Sequence, residues 1–284
     1  MSDSPKILAF GEVLWDLLPT GPRLGGAPAN FAMQAASQGA TAYLYSAVGV
    51  DDYGRDALAL LQQRGVMTSM VDVIPAVPTG TVGVTLDANA KPTFVINAPA
   101  AWDEIAWQTD LESQLRQFDA VYYGTLGQRG IKSRETLQHL LSSARRLGIK
   151  IVFDINLRAP FYDESLIKSS IASAHVLKLS DDELPVVAKA YGLSIEDDLI
   201  SLLQTLRQRT QLEVLVLTCG AQGAIAVTVQ EVVKQPGIKV KVVNTVGAGD
   251  AFTACFTVGW LKHMPLTQVM LHACEVAAQV CTQI

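Results

Sequence analysis

The chain has 284 residues, of which 49 % are apolar and 17 % charged, with a formal net charge of −5. That length permits one or two domains and a large core. The acidic balance gives no basic face for nucleic acid, and no apolar run is long enough to span a bilayer. The first residues, Met1-Ser2-Asp3-Ser4-Pro5-Lys6, lack the basic and apolar regions of a secretion signal. The four cysteines, Cys219, Cys255, Cys274 and Cys281, have no zinc-type spacing and read as buried thiols in a reducing cytoplasm.

In chain order, Lys6–Phe10 reads as a strand, followed by Gly11-Glu12-Val13-Leu14-Trp15-Asp16, an apolar run with two carboxylates. Gly25-Gly26-Ala27-Pro28-Ala29-Asn30 is a glycine turn opening a helix, with Pro28 suited to the first turn and Gly39 as the stop. Thr41–Val48 reads as a strand and Asp52–Arg64 as an amphipathic helix. The period then shortens. Val71–Ile74, Thr79–Leu86 and Pro92–Asn97 read as short strands, a small antiparallel lid inserted on a larger sheet.

Alternation then resumes. Strands are expected at 120–123, 150–155, 176–179 and 214–217, and helices at 133–147, 164–173, 181–190 and 196–208. A hairpin over 224–234 and a further strand over 238–243 lead to Asn244-Thr245-Val246-Gly247-Ala248-Gly249-Asp250-Ala251-Phe252. A buried helix over 251–261 and a last helix from Leu266 to about Thr282 complete the pattern.

Strands alternating with helices imply a three-layer α/β/α sandwich with a mostly parallel central sheet. The expectation is one domain over 1–284, with the lid inserted around 12–24 and 71–100. Ligands of such sheets bind at the carboxyl ends of strands. The polar clusters Asp154–Arg158, Ser180–Glu183, Thr218–Gly223 and Asn244–Asp250 all fall there. At Asp250 two readings stand on that stretch alone. A carboxylate can cap its own helix, or act as a base beside an anion site of unpaired N–H groups. The convergence of four clusters on one edge favours the base.

Together these motifs resemble the PfkB, or ribokinase-like, carbohydrate kinase family over essentially the whole chain. Gly247-Ala248-Gly249-Asp250-Ala251-Phe252 is similar to its carboxyl-terminal signature, and Gly25-Gly26 with Asn30 to its amino-terminal glycine motif. Gly-Glu-Val-Leu-Trp-Asp, Gly124-Thr125-Leu126 and Asp154-Ile155-Asn156-Leu157-Arg158 resemble the short bacterial fructokinases.

The resemblance implies that Asp250 is the catalytic base and that Gly247, Ala248 and Gly249 form the anion hole with it. Asp16, Gly25, Gly26, Asn30, Asn97 and Arg158 are implied as sugar or phosphate contacts. Lys178, Thr218, Gly220, Gly223 and Gly249 are implied at the nucleotide, and Glu183 at magnesium through water. ATP and Mg2+ are therefore expected, with a K+ ion beside Asn244 and Val246. A cytoplasmic enzyme is expected, acting on a small sugar without nucleic acid or membrane, and pairing as a homodimer through the lid.

Three departures qualify the pattern. Asn244 stands where the family usually has Asp, which keeps a carbonyl but loses the charge. Ser180 stands where it usually has Asn. Family members usually continue past the last helix into a segment that supplies cation-site carbonyls, and the last residue here is Ile284. The expected reaction is conversion of fructose to fructose 6-phosphate. Alternatives are a kinase for ribose, a nucleoside or 2-keto-3-deoxygluconate, the last because Arg158 suits a carboxylate, or a catalytically weak sugar-binding protein. An NAD-binding fold fits poorly, because no Gly-x-Gly-x-x-Gly follows the first strand.

Overall fold

The computed structural model describes residues 4–86 and 92–282. In chain order the elements are β1 (Lys6–Phe10), β2 (Leu14–Leu18), β3 (Gly21–Gly25), α1 (Ala27–Ser37), β4 (Thr41–Gly49), α2 (Asp52–Gln63), β5 (Val71–Ile74), β6 (Gly80–Leu86) and β7 (Pro92–Ile96). There follow α3 (Leu111–Leu115), β8 (Ala120–Gly124), α4 (Ile131–Leu147), β9 (Lys150–Asp154), α5 (Glu164–Ser173), β10 (Val176–Ser180), α6 (Leu184–Ala190) and α7 (Leu199–Thr210). The last are β11 (Val214–Thr218), β12 (Gly223–Val227), β13 (Val232–Pro236), α8 (Ala248–Leu261) and α9 (Leu266–Cys281).

Nine strands form the main sheet in the order β13-β12-β11-β10-β9-β8-β1-β4-β5. All pairs are parallel except those of β12 and β13, which form the expected hairpin. Alternate residues of each strand feed opposite cores, as the period of two requires. Leu8 and Phe10 pack with Leu137, Ile167 and Leu203 of α4, α5 and α7. Ile7 and Ala9 pack with Phe31, Leu61, Phe256 and Met270 of α1, α2, α8 and α9. Helices thus cover both faces, which a parallel sheet needs because its strands are apolar on both sides.

The chain leaves β1 towards β4 on one side and builds β8, β9, β10 and β11 on the other. The crevice between β1 and β8 is therefore the switch point, where ligands of open parallel sheets bind. A second, four-stranded sheet, β3-β2-β6-β7, stands over this edge as the lid.

Two expected strands are corrected. Val71–Ile74 belongs to the edge of the main sheet, because β5 pairs in parallel with β4 from Ser46↔Val71 to Gly49↔Ile74. Residues 238–243 form no strand. Ile238, Val240, Val242 and Val243 are 37–58 % exposed, and among the described residues no strand pairs with them; the Val243 N–H instead donates to Cys281 O at the end of α9, at 2.8 Å. Propensity without packing does not make a strand. The 12–24 region supplies β2 and β3 of the lid sheet. The helix expected from Asp181 starts at Leu184, and the one from Glu196 starts at Leu199 behind the Asp198 cap.

Candidate active site

Two helix N-termini meet at the carboxyl edge of the sheet. Helix α1 starts after Gly26, whose φ of 101° lies in the region that glycine occupies without strain. Helix α8 starts after Gly247, at φ 82°, with no side chain capping it. Its first amides are those of Ala248, Gly249 and Asp250, and among the described residues no side-chain oxygen accepts from them. The Ala248 N–H also donates to the Thr245 carbonyl at 3.2 Å; amides at a helix start can receive an anion.

Asp250 is the third residue of α8 and does not cap it. Its Oδ2 accepts a hydrogen bond from Asn30 Nδ2 at 2.8 Å, across 220 positions of sequence. The two sequence-derived glycine motifs are thereby joined by one contact. Burial pushes the Asp250 carboxyl up to about 6, and the nearby Asp154 adds to the rise. The Asn30 hydrogen bond, Lys178 and Arg158 pull it part of the way back.

The segment after β1 supports α1 from below. Glu12 is 2 % exposed, and its Oε1 accepts from the backbone N–H of Ala27 at 3.1 Å. A Cβ on Gly26 would stand 2.5 Å from the Glu12 carbonyl oxygen. Among the described residues Glu12 Oε2 has no hydrogen-bond partner. Burial raises the Glu12 carboxyl to about 7 against its two backbone hydrogen bonds, and Asp250 raises it further. Asp16 on β2 is half-buried, and a Cβ on Gly25 would meet its Oδ2 at 2.8 Å. Burial raises Asp16, offset by Arg23 and Arg158. Asp16, Gly25, Gly26, Asn30 and Asp250 therefore line one place. Arg158 is exposed and acts on it electrostatically.

Lys178, the middle residue of β10, is aimed at the start of α8. It is 8 % exposed, and its Nζ would lie 3.3 Å from a Cβ on Gly249. Asp154, ending β9, accepts from Lys178 Nζ at 3.1 Å through Oδ1, and from Thr253 Oγ1 at 2.8 Å through Oδ2. Burial alone would lower the Lys178 ammonium, but Asp154, Glu183 and Asp250 outweigh it and raise it. The same burial raises Asp154 against the pull of Lys178. The result is an ammonium held charged beside the first amides of α8.

Glu183 ties two loops together. Oε1 accepts from Leu157 N at 2.8 Å, and Oε2 from Ser180 N at 2.8 Å and Ser180 Oγ at 2.9 Å. Ser180, where a longer Asn was expected, is thus a direct partner of Glu183. A carboxylate so occupied fits a role towards magnesium through water better than direct ligation. Among the described residues no group of three or more His, Cys, Asp and Glu side chains is placed to hold a metal. Magnesium bound chiefly by phosphates and water needs no such group.

Thr218 ends β11, and Gly220 opens the short turn Gly220–Gln222 that follows it. Gly223 faces β13, where a Cβ would meet Gln235 O at 2.0 Å, so packing against the hairpin already requires glycine there. Asn244 Oδ1 accepts from Val246 N at 3.0 Å, an Asx turn that commits the oxygen expected at a monovalent cation. Asn97 lies at the end of β7, with its Nδ2 donating to Thr81 Oγ1 at 2.8 Å.

Three contributors were not assigned roles from the sequence. Glu12 was visible as an acid in an apolar run. Thr253 gave no signal, because a Thr in an apolar helix reads as core. Tyr122 on β8 read as a strand aromatic. It is fully buried, stacks on Phe31 with ring centroids 3.7 Å apart, and its hydroxyl has no hydrogen-bond partner among the described residues. Burial drives that hydroxyl's pKa well up, and Asp154, Asp250 and Glu12 raise it further, so it stays protonated beneath the site.

A lidded, mostly parallel sheet with this pocket at its switch point defines the ribokinase-like class. The model of the pfkB family carbohydrate kinases matches residues 20–284, and the chain belongs to that family. It is 30 % identical over 290 residues to a fructokinase of Salmonella typhimurium, covering 97 % of this chain and 91 % of that one. The ATP-bound fructokinase of Xylella fastidiosa superposes with a TM-score of 0.85 at 24 % identity, over 98 % of this chain and 92 % of that one. A putative ribokinase II of E. coli, in complex with ATP and Mg2+, superposes at 0.86 with 20 % identity, over 99 % and 94 %. The protein is a carbohydrate kinase that uses ATP. Among its described residues no helix is long and apolar enough to cross a membrane.

Proposed function

We propose that this kinase transfers the γ-phosphoryl group of ATP to D-fructose, giving fructose 6-phosphate, with Asp250 as the general base. The observation that carries the reading is the Asn30–Asp250 hydrogen bond at the N-terminus of α8, with Lys178 beside it. The choice of fructose is supported by the fructokinase at 30 % identity.

In this reading the sugar lies against Asp16, Gly25, Gly26 and Asn30, with Arg158 and Asn97 at its outer side. The reacting hydroxyl faces Asp250, which takes its proton. A carboxyl near 6 is ionised at neutral pH, yet more basic than an ordinary aspartate, as proton abstraction requires. The amides of Ala248, Gly249 and Asp250, following Gly247, receive charge on the transferring phosphoryl group, and Lys178 adds a fixed positive charge. Phosphoryl transfer depends on such positioning and neutralisation more than on covalent chemistry. Thr218, Gly220 and Gly223 border the nucleotide. Glu183 would hold magnesium through water, and that ion, when bound, neutralises phosphate charge. No step is assigned to a monovalent cation at Asn244 and Val246.

The test is Asp250→Ala in an assay coupling ADP release to a panel of sugars. Turnover is expected to fall by about 10²–10⁴-fold, the usual contribution of a general base, with sugar binding retained in calorimetry. Equal turnover in variant and wild type would remove Asp250 from the mechanism. Preference for ribose, a nucleoside or 2-keto-3-deoxygluconate over fructose would replace the substrate.

A further inference from the structure

The root of the lid and the loop that carries Arg158 meet on one side chain. Arg129 follows the short turn Leu126–Gln128 after β8, and its side chain is only 6 % exposed. Its Nε and Nη2 donate to Asp103 Oδ1 at 2.9 Å and Oδ2 at 2.8 Å, a fork matched to a carboxylate. Nη2 also donates to Asn97 O at 2.7 Å, and Nη1 reaches Ile96 O at 3.4 Å. Both carbonyls lie at the end of β7. The guanidinium stands 4.0 Å from the Trp102 ring centroid and 5.1 Å from that of Phe161. Phe161 N donates to Arg158 O at 2.8 Å, so the ring belongs to the turn that Arg158 opens.

The other end of the lid hairpin reaches the same cluster. Trp102 is fully buried, and its Nε1 would lie 2.5 Å from a Cβ on Gly80, the first residue of β6. One Arg–Asp–Trp unit thus holds the start of β6, the end of β7 and the 158–161 turn. A buried ion pair is a poor device for stability alone, since burial costs each charge its hydration. Its advantage is directional. A flat cation with donors on its edge and aromatic rings on its face fixes several elements at set angles.

We infer that Arg129 is a positioning residue that couples the lid to the Leu157–Phe161 loop, so that the sugar contacts at Asn97 and Arg158 are set together. The inference deepens the reading above, in which both segments hold the sugar. It predicts that loosening Arg129 harms sugar use while sparing ATP, although Arg129 touches neither in this arrangement.

The experiment compares wild type, Arg129→Lys and the double variant Arg129→Gln/Asp103→Asn. The lysine variant keeps the charge without the fork. The double variant keeps a hydrogen-bonding pair and leaves no charge buried alone, which protects folding. Backbone hydrogen exchange in the unliganded proteins is the first readout. Faster exchange is expected together at 95–97 and 157–161, with β8 and β9 still protected. The second is kinetic. In both variants the KM for sugar rises about tenfold or more, in line with what small misplacement of bound groups costs, while the KM for ATP stays within about twofold. With sugar present, ADP release not matched by sugar phosphate also rises, because the bound sugar no longer closes the site fully. Exchange that rises in only one segment overturns the coupling. So does an unchanged sugar KM, or a parallel rise in both KM values with a lowered unfolding midpoint. The exchange readout needs no substrate, so it decides the role of Arg129 even if wild type ignores every sugar tested, a result that would sink the fructose reading alone.

Discussion

In the proposed mechanism Asp250 serves as base because its surroundings hold it between two failures. Fully solvated it would be too weak a base, and buried without partners it would stay protonated. Burial and Asp154 raise it to about 6, and Asn30 gives its charged form a donor. Only the ionised carboxylate accepts a proton, so kcat/KM should fall as pH drops through about 6. The Asp250→Asn variant should lose that acid limb together with most of its turnover, which a pH–rate profile reads directly. Glu12 makes the opposite demand on stability. Its folded pKa of about 7 lies above the ordinary 4.5, so the folded state holds the extra proton. Stability contributed by that proton is full below the ordinary value and is lost as pH rises through about 7. The shift corresponds to roughly 3 kcal/mol. Glu12→Gln keeps an acceptor for Ala27 N–H without the charge, so in urea it should gain on wild type at pH 8 and not at pH 4. Lys178→Met leaves Asp154 buried without its cation. Removal of one partner from such a pair costs about 3–5 kcal/mol, so a large drop in unfolding free energy is expected alongside weaker ATP binding.

At the scale of elements, the site is a meeting of two helix starts rather than a property of either helix. Helix α1 brings Asn30 and α8 brings Asp250, and their turns supply the close backbone approach. Gly26 is the tightest point, with φ 101° and the Glu12 carbonyl 2.5 Å from where a Cβ would stand. Gly26→Ala should therefore shift the start of α1. A backbone strain of about 1–3 kcal/mol is expected in denaturant unfolding, with a raised sugar KM as Asn30 leaves Asp250. The same scale explains the error at 238–243. Six β-branched or basic residues in alternation look like a strand, but β13 already ends the sheet and, among the described residues, no strand lies alongside to pair with them. Conversely, 71–74 reads as lid by its place in the chain and joins the main sheet because β4 offers it an open parallel edge.

For the whole molecule, the lid and the sheet edge must close on the sugar before ATP reacts, or water competes for the phosphoryl group. Fructose that binds only the folded chain should stabilise it. At about 100 times its dissociation constant the gain is about 2.7 kcal/mol, measurable as a concentration-dependent rise in melting temperature. A sugar that gives no such rise is not held by the native site. A second copy pairing through the lid belongs to the same reading, and sedimentation across a concentration series decides it.

Much of this was legible in the residues. The alternation of apolar strands and amphipathic helices determined a covered parallel sheet, because that periodicity can be buried in few other ways. The glycine turns at 25–26 and 247–249 and the acids beside them pointed to the proposed site, because such turns let a ligand approach the amides of a helix start closely. What the sequence could not settle was who meets whom. Whether Asp250 caps its helix or faces Asn30, 220 residues away, depends on how α1 and α8 pack over the sheet. Glu12, Tyr122 and Thr253 acquire meaning only from burial beside other charges. Arg129 is one arginine among many until the fold places two carbonyls, a carboxylate and two rings around it. Local pattern fixes what each segment can become, since it is set by short-range sterics and burial. Partners distant in sequence are chosen only when the chain closes, and the chemistry of this site is made of such partners.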